Sequence, residues 1–185
     1  MDVRISKTFT VATGLHLEGN FLVNVYEFDI SMLVYTDNMH EQNVAISRMD
    51  YFIEHCLEDS VIVNSECVDA IQKYQDAGMK VCMTPEEPYC QVVAMVVLQK
   101  LNAIMEGRIR VTDIDFGSGI SSGVRFQLVS EMAEAMVSVK GWWNKHDMAI
   151  VDPIKTKDNI VRLCDPKSWD RMGLSWKEPV DKAQE

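Results

Sequence analysis

Two stretches near the start of the chain carry many β-favouring residues, and their apolar and polar positions partly alternate. They span residues 7–17 and 21–35, and the four residues LEGN at 17–20 have the composition of a tight turn. This pattern predicts a long β-hairpin.

Both faces of the second arm of this hairpin carry apolar side chains. Because alternate residues of a strand point to opposite faces, the positions divide into two sets. One set is Leu22, Asn24, Tyr26, Phe28, Ile30 and Met32, and the other begins with Val23, Val25 and Glu27. Since neither set is cleanly polar, we expect helices to cover one face of the hairpin and a partner subunit to cover the other.

Three segments after the hairpin have apolar residues at helical spacing. After a loop at 36–43, the first predicted helix is capped by Ser47 and reaches about Glu58. The second covers residues 67–77, and the third, which is long, covers residues 84–106. The third has the strongest start, because Thr84 can cap the helix and Pro85 suits its first position. It is apolar around most of its circumference, so we expect it to be central and buried. Residues 61–63 and 80–83 are candidates for short strands.

A second hairpin follows the long helix. Residues 108–116 and 123–129 both alternate in polarity, and the turn GSGISS joins them. Residues 130–143 have a helical pattern. The resulting order of elements predicts an α+β fold, with two antiparallel β-hairpins forming a four-stranded sheet and helices packed on one face. We expect residues 1–143 to form a single α+β domain, and residues 144–185 to be an extension that packs on the core or on a partner.

Composition narrows the class of protein further. The chain has 185 residues, of which 47% are apolar, and its formal net charge is −10, which would repel a nucleic-acid backbone. Its longest apolar stretch, at 92–105, is interrupted by polar residues and is too short to predict a membrane span. The start MDVRISKTFTV lacks the features of a secretion signal. The five cysteines are odd in number and contain no CxxC pair, which favours free thiols and the cytoplasm.

The order of these elements resembles the tunnelling fold (T-fold) of the 6-pyruvoyl- and 6-carboxy-tetrahydropterin synthases. The first-strand sequence KTFTVATGLHL and the proline at the start of the long helix are also similar to that family. The resemblance covers residues 7–129. It implies that the hairpins of several copies assemble into a barrel around a symmetry axis. A homo-oligomer would explain the two apolar faces of the first hairpin.

The same resemblance places the family's zinc ligands at the turn of the first hairpin. That family uses one histidine at the end of the first strand and a His-x-His pair at the start of the second. Here His16 resembles one ligand, but the positions of the pair are occupied by Glu18 and Asn20. One imidazole with a carboxylate and an amide would hold zinc poorly. We therefore predict no particular cofactor, and a zinc ion is the one we least expect. His16 and Glu18 remain candidates for contacting a substrate.

Asp113 falls near the position where the family anchors a pterin or purine with an acidic side chain. A carboxylate there can accept two N–H bonds from a 2-amino-pyrimidinone edge. The resemblance therefore implies a protein that binds a pterin or purine-like heterocycle at a subunit interface. A diverged lyase of the tetrahydropterin synthase type is one form that such a protein would take.

Two alternatives follow from the residues themselves. The degenerate ligand positions would suit a non-catalytic structural or regulatory protein that assembles without a zinc site. Asp113 and Asp115 lie two apart on a strand, so their carboxylates share a face and would suit a Mg²⁺-dependent enzyme. The solvated face of an amphipathic strand explains the same pair without any metal.

Overall fold

The first two strands form a hairpin longer than the sequence pattern predicts. The computed structural model describes residues 3–129, 169–170 and 172–177. Strand β1 covers Val3–Leu17, and strand β2 covers Asn20–Val34 and pairs with it antiparallel along its whole length. The turn consists of Glu18 and Gly19, whose φ angles are both positive (50° and 80°), as in the tight turns that suit the twist of a hairpin. The predicted hairpin and its turn are confirmed.

Within the part of the chain that the structure describes, the sheet has six strands, so the prediction of a four-stranded sheet is wrong in this detail. Strands β3 (Ser60–Asn64), β4 (Lys80–Thr84), β5 (Ile109–Ser118) and β6 (Arg125–Val129) complete it in the order β4-β3-β1-β2-β5-β6. The four hairpin strands are adjacent and antiparallel, as expected. The two short apolar segments add to them because β3 pairs in parallel with the tip end of β1, and β4 with β3. The α+β class holds.

Helix α1 begins eight residues before the predicted cap at Ser47. It covers Met39–Tyr51 and continues as a π-helix over Phe52–Leu57. The cap is Asn38, whose side chain accepts hydrogen bonds from the backbone N–H groups of His40 and Glu41. The segment predicted as a polar loop therefore contains the first turn of a helix, because an asparagine followed three residues later by glutamate is a helix-start signal.

Helix α3 covers Cys90–Met105 and begins later than predicted. Thr84 is the last residue of β4 and does not cap the helix; its hydroxyl donates to the Glu86 carbonyl (2.7 Å). The reason lies in a second proline, Pro88, because a residue that precedes proline avoids the helical conformation. As expected, α3 is buried around most of its circumference.

Helices cover both faces of the sheet, which corrects the expectation of a single helical layer. Helices α1 and α3 pack on the face that carries the even-numbered side chains of β2. Helix α2 (Val68–Asp76) packs on the opposite face, where Tyr74 joins a small cluster with Val61, Val63 and Val81. The remainder of that second face, over β2, β5 and β6, is called the open face below.

The main core fills the space between α1, α3 and the long hairpin. Tyr26, Phe28, Ile30 and Met32 are buried there, as the alternation in β2 predicts, whereas Val23 and Val25 are exposed on the open face. Among the described residues no helix is long and apolar enough to cross a membrane. The helix predicted at 130–143 and the domain boundary at 143 lie outside the described residues.

Candidate functional site

His16 lies at the tip end of β1, on the same face of the sheet as α2. Its Nδ1 atom is 3.0 Å from the hydroxyl of Tyr74, and the two rings meet edge to face with centroids 5.7 Å apart. The side chain also lines a cleft of about 500 Å³ together with Cys67 and Lys73. The His16 imidazole is therefore oriented by Tyr74 and reaches a solvent-accessible cleft.

Glu18 and Asn20, the other two positions where the resemblance would place zinc ligands, form hydrogen bonds within the protein. Glu18 Oε1 accepts a hydrogen bond from the hydroxyl of Tyr89 (2.7 Å), and this bond raises the pKa of Tyr89 above its usual value. The backbone N–H of Glu18 donates to Glu87 Oε2 (3.3 Å), and Asn20 Nδ2 donates to the carbonyl of Glu18 (3.2 Å). These contacts tie the hairpin tip to the segment that precedes α3.

The residues at the hairpin tip do not fit a zinc site. Within the described ranges, no group of three or more His, Cys, Asp or Glu side chains is placed to hold a metal ion. His16 is directed to Tyr74 and Glu18 to Tyr89. A tetrahedral zinc site needs three protein ligands converging on one point, and an amide in place of imidazole is a poor one.

Asp113 lies on the open face at an irregularity in strand β5. Between the pairs Asp113↔Ser31 and Val111↔Met32 the strand contains one extra residue, Thr112, which forms a β-bulge. The Thr112 hydroxyl is 2.8 Å from Asp113 Oδ2 and 3.2 Å from the Ser31 carbonyl. The bulge thus fixes the orientation of the Asp113 carboxylate.

Helix α3 supports the bulge from the core side. Asn102 Oδ1 accepts from the backbone N–H of Val111 (2.7 Å), and Asn102 Nδ2 donates to the Val111 carbonyl (3.4 Å). The bulge also changes which residues of β5 face the core. The odd-numbered residues Ile109 and Val111 are buried before it, and the even-numbered residues Ile114 and Phe116 are buried after it. Asp113 and Asp115 therefore share the open face, as the two-residue spacing predicts.

Asp115 is held by an arginine that sequence reasoning did not select. Arg125 Nε donates to Asp115 Oδ1 (2.6 Å), Nη2 to Asp29 Oδ2 (2.8 Å) and Nη1 to Glu27 Oε2 (3.3 Å). These carboxylates raise the pKa of Arg125, with Asp115 as the largest cause. A guanidinium thus occupies one of the two carboxylates, Asp115, that the Mg²⁺ hypothesis would use as ligands. Because Glu27 and Asp29 alternate with buried residues, the sequence indicates that their carboxylates share one face of β2. It does not indicate that Arg125 of β6 is their partner, since that depends on the register of the strands.

The structure does not bring His16 and Asp113 together within one chain. His16 pairs with Phe21 on β2, whereas Asp113 pairs with Ser31, ten positions farther along the same strand. At about 3.3 Å per residue the two candidates are roughly 33 Å apart. A single small ligand can touch both of them only if they come from different subunits.

The described C-terminal residues, 169–170 and 172–177, pack against the ends of α1 and α3. Trp169 is 2% exposed, and Arg48 of α1, also 2% exposed, stacks on Trp176 with its guanidinium carbon 3.8 Å from the ring centroid. Arg48 Nε and Nη2 both donate to the Leu174 carbonyl (2.9 and 2.8 Å). The part of the predicted extension that the structure describes therefore packs on the core of its own chain.

The thiols of this chain are expected to differ sharply in reactivity. Cys82 is buried, and burial raises its pKa to about 12, so almost none of it is thiolate at pH 8. Cys67 is partly exposed at the edge of the His16 cleft. We expect iodoacetamide at pH 8 to label Cys67 in the native protein at least about ten times faster than Cys82, as followed by peptide mass spectrometry. Equal labelling of both in the native state would contradict the burial of Cys82.

Comparisons with known proteins inform the fold but not the activity. No known protein-family profile and no curated protein sequence matches the chain. Among solved structures, the chain is similar to the crystal structure of the uncharacterized protein WS1659 from Wolinella succinogenes. The two share 10% sequence identity with a TM-score of 0.50, over 70% of this chain and 99% of that protein. At this identity the likeness concerns the fold alone.

Proposed function

We propose that this chain is the subunit of a T-fold-like homo-oligomer that binds a pterin or purine-like heterocycle at a subunit interface. The observation that carries the proposal is the position of Asp113. Its carboxylate accepts a hydrogen bond from Thr112 at the β5 bulge on the open face, on a sheet whose outer strands can accept another copy.

The outer strands of the hairpin sheet support a repeating assembly. Strand β1 pairs with β3 only at residues 14–16, and no other described strand pairs with residues 3–11 on that side. Among the described strands, β6 is the edge on the other side. It runs antiparallel to β1, because β1 is antiparallel to β2, β2 to β5, and β5 to β6. Edge-to-edge addition of β6 to β1 of the next copy would continue the antiparallel order. A head-to-tail contact of this kind closes into a ring when its rotation allows.

The surroundings of Asp113 suit a planar ligand. In the register of the sheet its neighbours on one side are Ser31 and then Ser6, both small and polar, and its neighbour on the other side is Val129. Among the described residues Asp113 Oδ1 accepts no hydrogen bond, and Oδ2 is near the hydroxyl of Thr112. A carboxylate held in this way can accept two adjacent N–H groups from an amino-pyrimidinone edge. A second subunit would supply the cover that a flat sheet face lacks.

The hairpin tip supports binding in preference to a zinc-dependent reaction. Glu18 and Asn20 contribute to the stability of the turn, and His16 is directed to Tyr74. The thiols of Cys67, Cys82 and Cys90 are free, and we propose the reducing cytoplasm as the compartment of the protein.

Replacing Asp113 by asparagine tests the proposed anchor. Asparagine keeps the size of the side chain but presents an N–H group toward the ligand's N–H donors. Charge-assisted hydrogen bonds contribute about 1.5–3 kcal/mol each, so we expect the affinity for pterin or guanosine to fall by at least about 10-fold. Isothermal titration calorimetry on the full chain measures this effect.

Asp37→Asn is the matched control for this titration, because Asp37 is exposed in the loop before α1, away from the open face. It should leave the affinity unchanged. Failure of the unmodified protein to bind any pterin or purine, or equal affinity in Asp113→Asn and Asp37→Asn, would reject the proposed anchor.

The second candidate function is an assembly protein without a ligand. It is favoured by the structural use of Glu18 and Asn20, which occupy ligand positions in the family that the chain resembles. Light scattering that shows an oligomer, together with the absence of heterocycle binding, would support it. A monomer at micromolar concentration would reject both candidates, since each depends on contacts between copies.

A further inference from the structure

A concave site lies on the open face within a single chain, two residue rows from Asp113. It is a cavity of about 370 Å³ between β2 and the β5–β6 turn, and we call it the Glu27 slot. Its lining includes Val25, Glu27, Gly117, Val124 and Arg125. The volume is within the range of about 300–1,000 Å³ that is common for small-molecule sites. In the register Glu27 pairs with Gly117, which is four residues from Asp113, so the two positions are roughly 13 Å apart.

The floor and one wall of the slot depend on glycine. Gly117 lies between Glu27 and Arg125 in the register, and a Cβ atom there would be 3.3 Å from Arg125 Nη1. At Gly119 a Cβ atom would be 3.2 Å from Asn24 Oδ1. The absence of these side chains allows the arginine to lie over β5 and the turn to approach β2.

The turn that forms the wall is fixed by a buried amide. Asn24 is 2% exposed; its Oδ1 accepts from the backbone N–H of Ile120 (3.2 Å), and its Nδ2 donates to Ser118 Oγ (2.8 Å). The glycine-rich turn is therefore held to β2 by two hydrogen bonds. A site whose walls are positioned before the ligand arrives loses less entropy on binding.

The charges around the slot select against a phosphate. Three carboxylates, from Glu27, Asp29 and Asp115, surround the single guanidinium of Arg125. The formal sum of these four groups is −2, so an anion would be repelled. An uncharged ligand avoids this repulsion. Its N–H groups can donate to a carboxylate, and its carbonyl oxygen can accept from the guanidinium.

The contact that must open for such a ligand is the weakest of the three around Arg125. Nη1 is 3.3 Å from Glu27, compared with 2.6 and 2.8 Å for the contacts to Asp115 and Asp29. Glu27 is also the most exposed of these carboxylates, at 64% of its side chain. Arg125 can therefore remain fixed by Asp29 and Asp115 while Glu27 turns toward a ligand.

We propose that the Glu27 slot is a second heterocycle-binding site, formed within one subunit and selective for a ring that carries adjacent N–H donors beside a carbonyl, as guanine does. Glu27 accepts the two N–H groups, and Arg125 Nη1 donates to the carbonyl. Val25 and Val124, which are 43% and 52% exposed, contact the faces of the ring. The inference rests on the proposed function for the general class of ligand, but it uses different residues.

Calorimetric titration of the full chain with guanosine, and with adenosine for comparison, tests the slot. Guanosine is expected to bind at two sites per chain, one at the interface and one in the slot. Glu27→Gln should remove one site or weaken it by at least about 10-fold, since it replaces a charged acceptor by a neutral amide, and Asp113→Asn should remove the other. Adenosine lacks the N–H pair beside a carbonyl and should not fill the slot.

The outcomes separate the slot from the proposed function. If Glu27→Gln binds guanosine as the unmodified protein does while Asp113→Asn loses a site, the slot is rejected and the interface site stands. The reverse result supports the slot and rejects the Asp113 anchor. Loss of all binding in each variant means that both carboxylates contact one ligand, which rejects a separate slot. Equal affinity of the slot for adenosine rejects the proposed selectivity, and absence of any guanosine binding rejects both sites.

Discussion

Replacing Phe28 by alanine is expected to lower the free energy of unfolding by about 3–5 kcal/mol, the range for removing a large aromatic side chain from a core. Phe28 is fully buried in the middle of β2. Its ring lies next to those of Phe9, Tyr26 and Phe116, with centroid distances of 5.0, 5.6 and 6.0 Å. The substitution therefore removes the centre of an aromatic row that crosses three strands. Denaturation by urea, followed by circular dichroism, measures the loss.

Phe21→Ala is the matched control for this experiment. Phe21 is on the same strand but is 47% exposed on the other face, where it contacts the side chain of Tyr74. Because less apolar surface is lost there, we expect a decrease of only about 1 kcal/mol. Equal destabilisation by the two substitutions would contradict the assignment of the two faces of β2.

This assignment of faces is the part of the fold that the sequence predicts best. The even-numbered residues of β2 read as one set, and they form one wall of the core. What the pattern could not supply was the role of residues 61–63 and 80–83. Short apolar runs are compatible with a strand in any position, and only the register shows that these two extend the sheet in parallel beside β1.

The alternation of apolar and polar residues in β5 predicts a strand correctly but does not predict that the strand contains a bulge. Residues 108–116 alternate in polarity, but the apolar positions change parity between Val111 and Ile114. A regular strand cannot bury both sets, so one extra residue has to be accommodated, and Thr112 is that residue. The change of parity was the available signal, and it coincides with the candidate anchor Asp113.

The candidate site was predictable only in part, because its residues depend on pairing between distant strands. The position of Asp113 in the second hairpin makes it a candidate from the sequence, and the structure places it, partly buried, on the open face. Arg125, by contrast, contacts Glu27, Asp29 and Asp115 only because β6 is two strands away from β2. Local patterns describe which face a side chain occupies, and they do not describe which residues on other strands it meets.

The packing of the C-terminal segment on Arg48 was the hardest contact to predict, since Trp169 and Trp176 are far from Arg48 in the sequence. Arg48 is almost fully buried, and an arginine without partners would be costly in such a place. Its Nη1 atom donates to the Ile104 carbonyl (3.1 Å) and to Glu106 Oε1 (3.0 Å), in addition to the two bonds to Leu174. Burial lowers the pKa of Arg48 from its usual high value, and Glu106 opposes that change.

Replacing Arg48 by methionine is therefore expected to destabilise the protein by about 2–4 kcal/mol, because buried carbonyl groups lose their charged donor and only the aliphatic packing is retained. The cation–π contact with Trp176 is lost as well. Urea denaturation measures the stability. Hydrogen–deuterium exchange should also show faster exchange in residues 169–177, where the Leu174 N–H bonds to the Trp169 carbonyl (2.9 Å).

Arg108→Met separates the buried contacts of Arg48 from stacking alone. Arg108 also lies over the ring of Trp176, at 4.4 Å from its centroid, but its contacts to Glu41 and Glu106 are partly exposed. Exposed ion pairs contribute at most about 1 kcal/mol, so this variant should remain close to the unmodified protein. If both variants had the same effect on stability and exchange, stacking on Trp176 would hold the segment in place. A larger effect of Arg48→Met means that the segment is held chiefly by the guanidinium bonds to the Leu174 carbonyl.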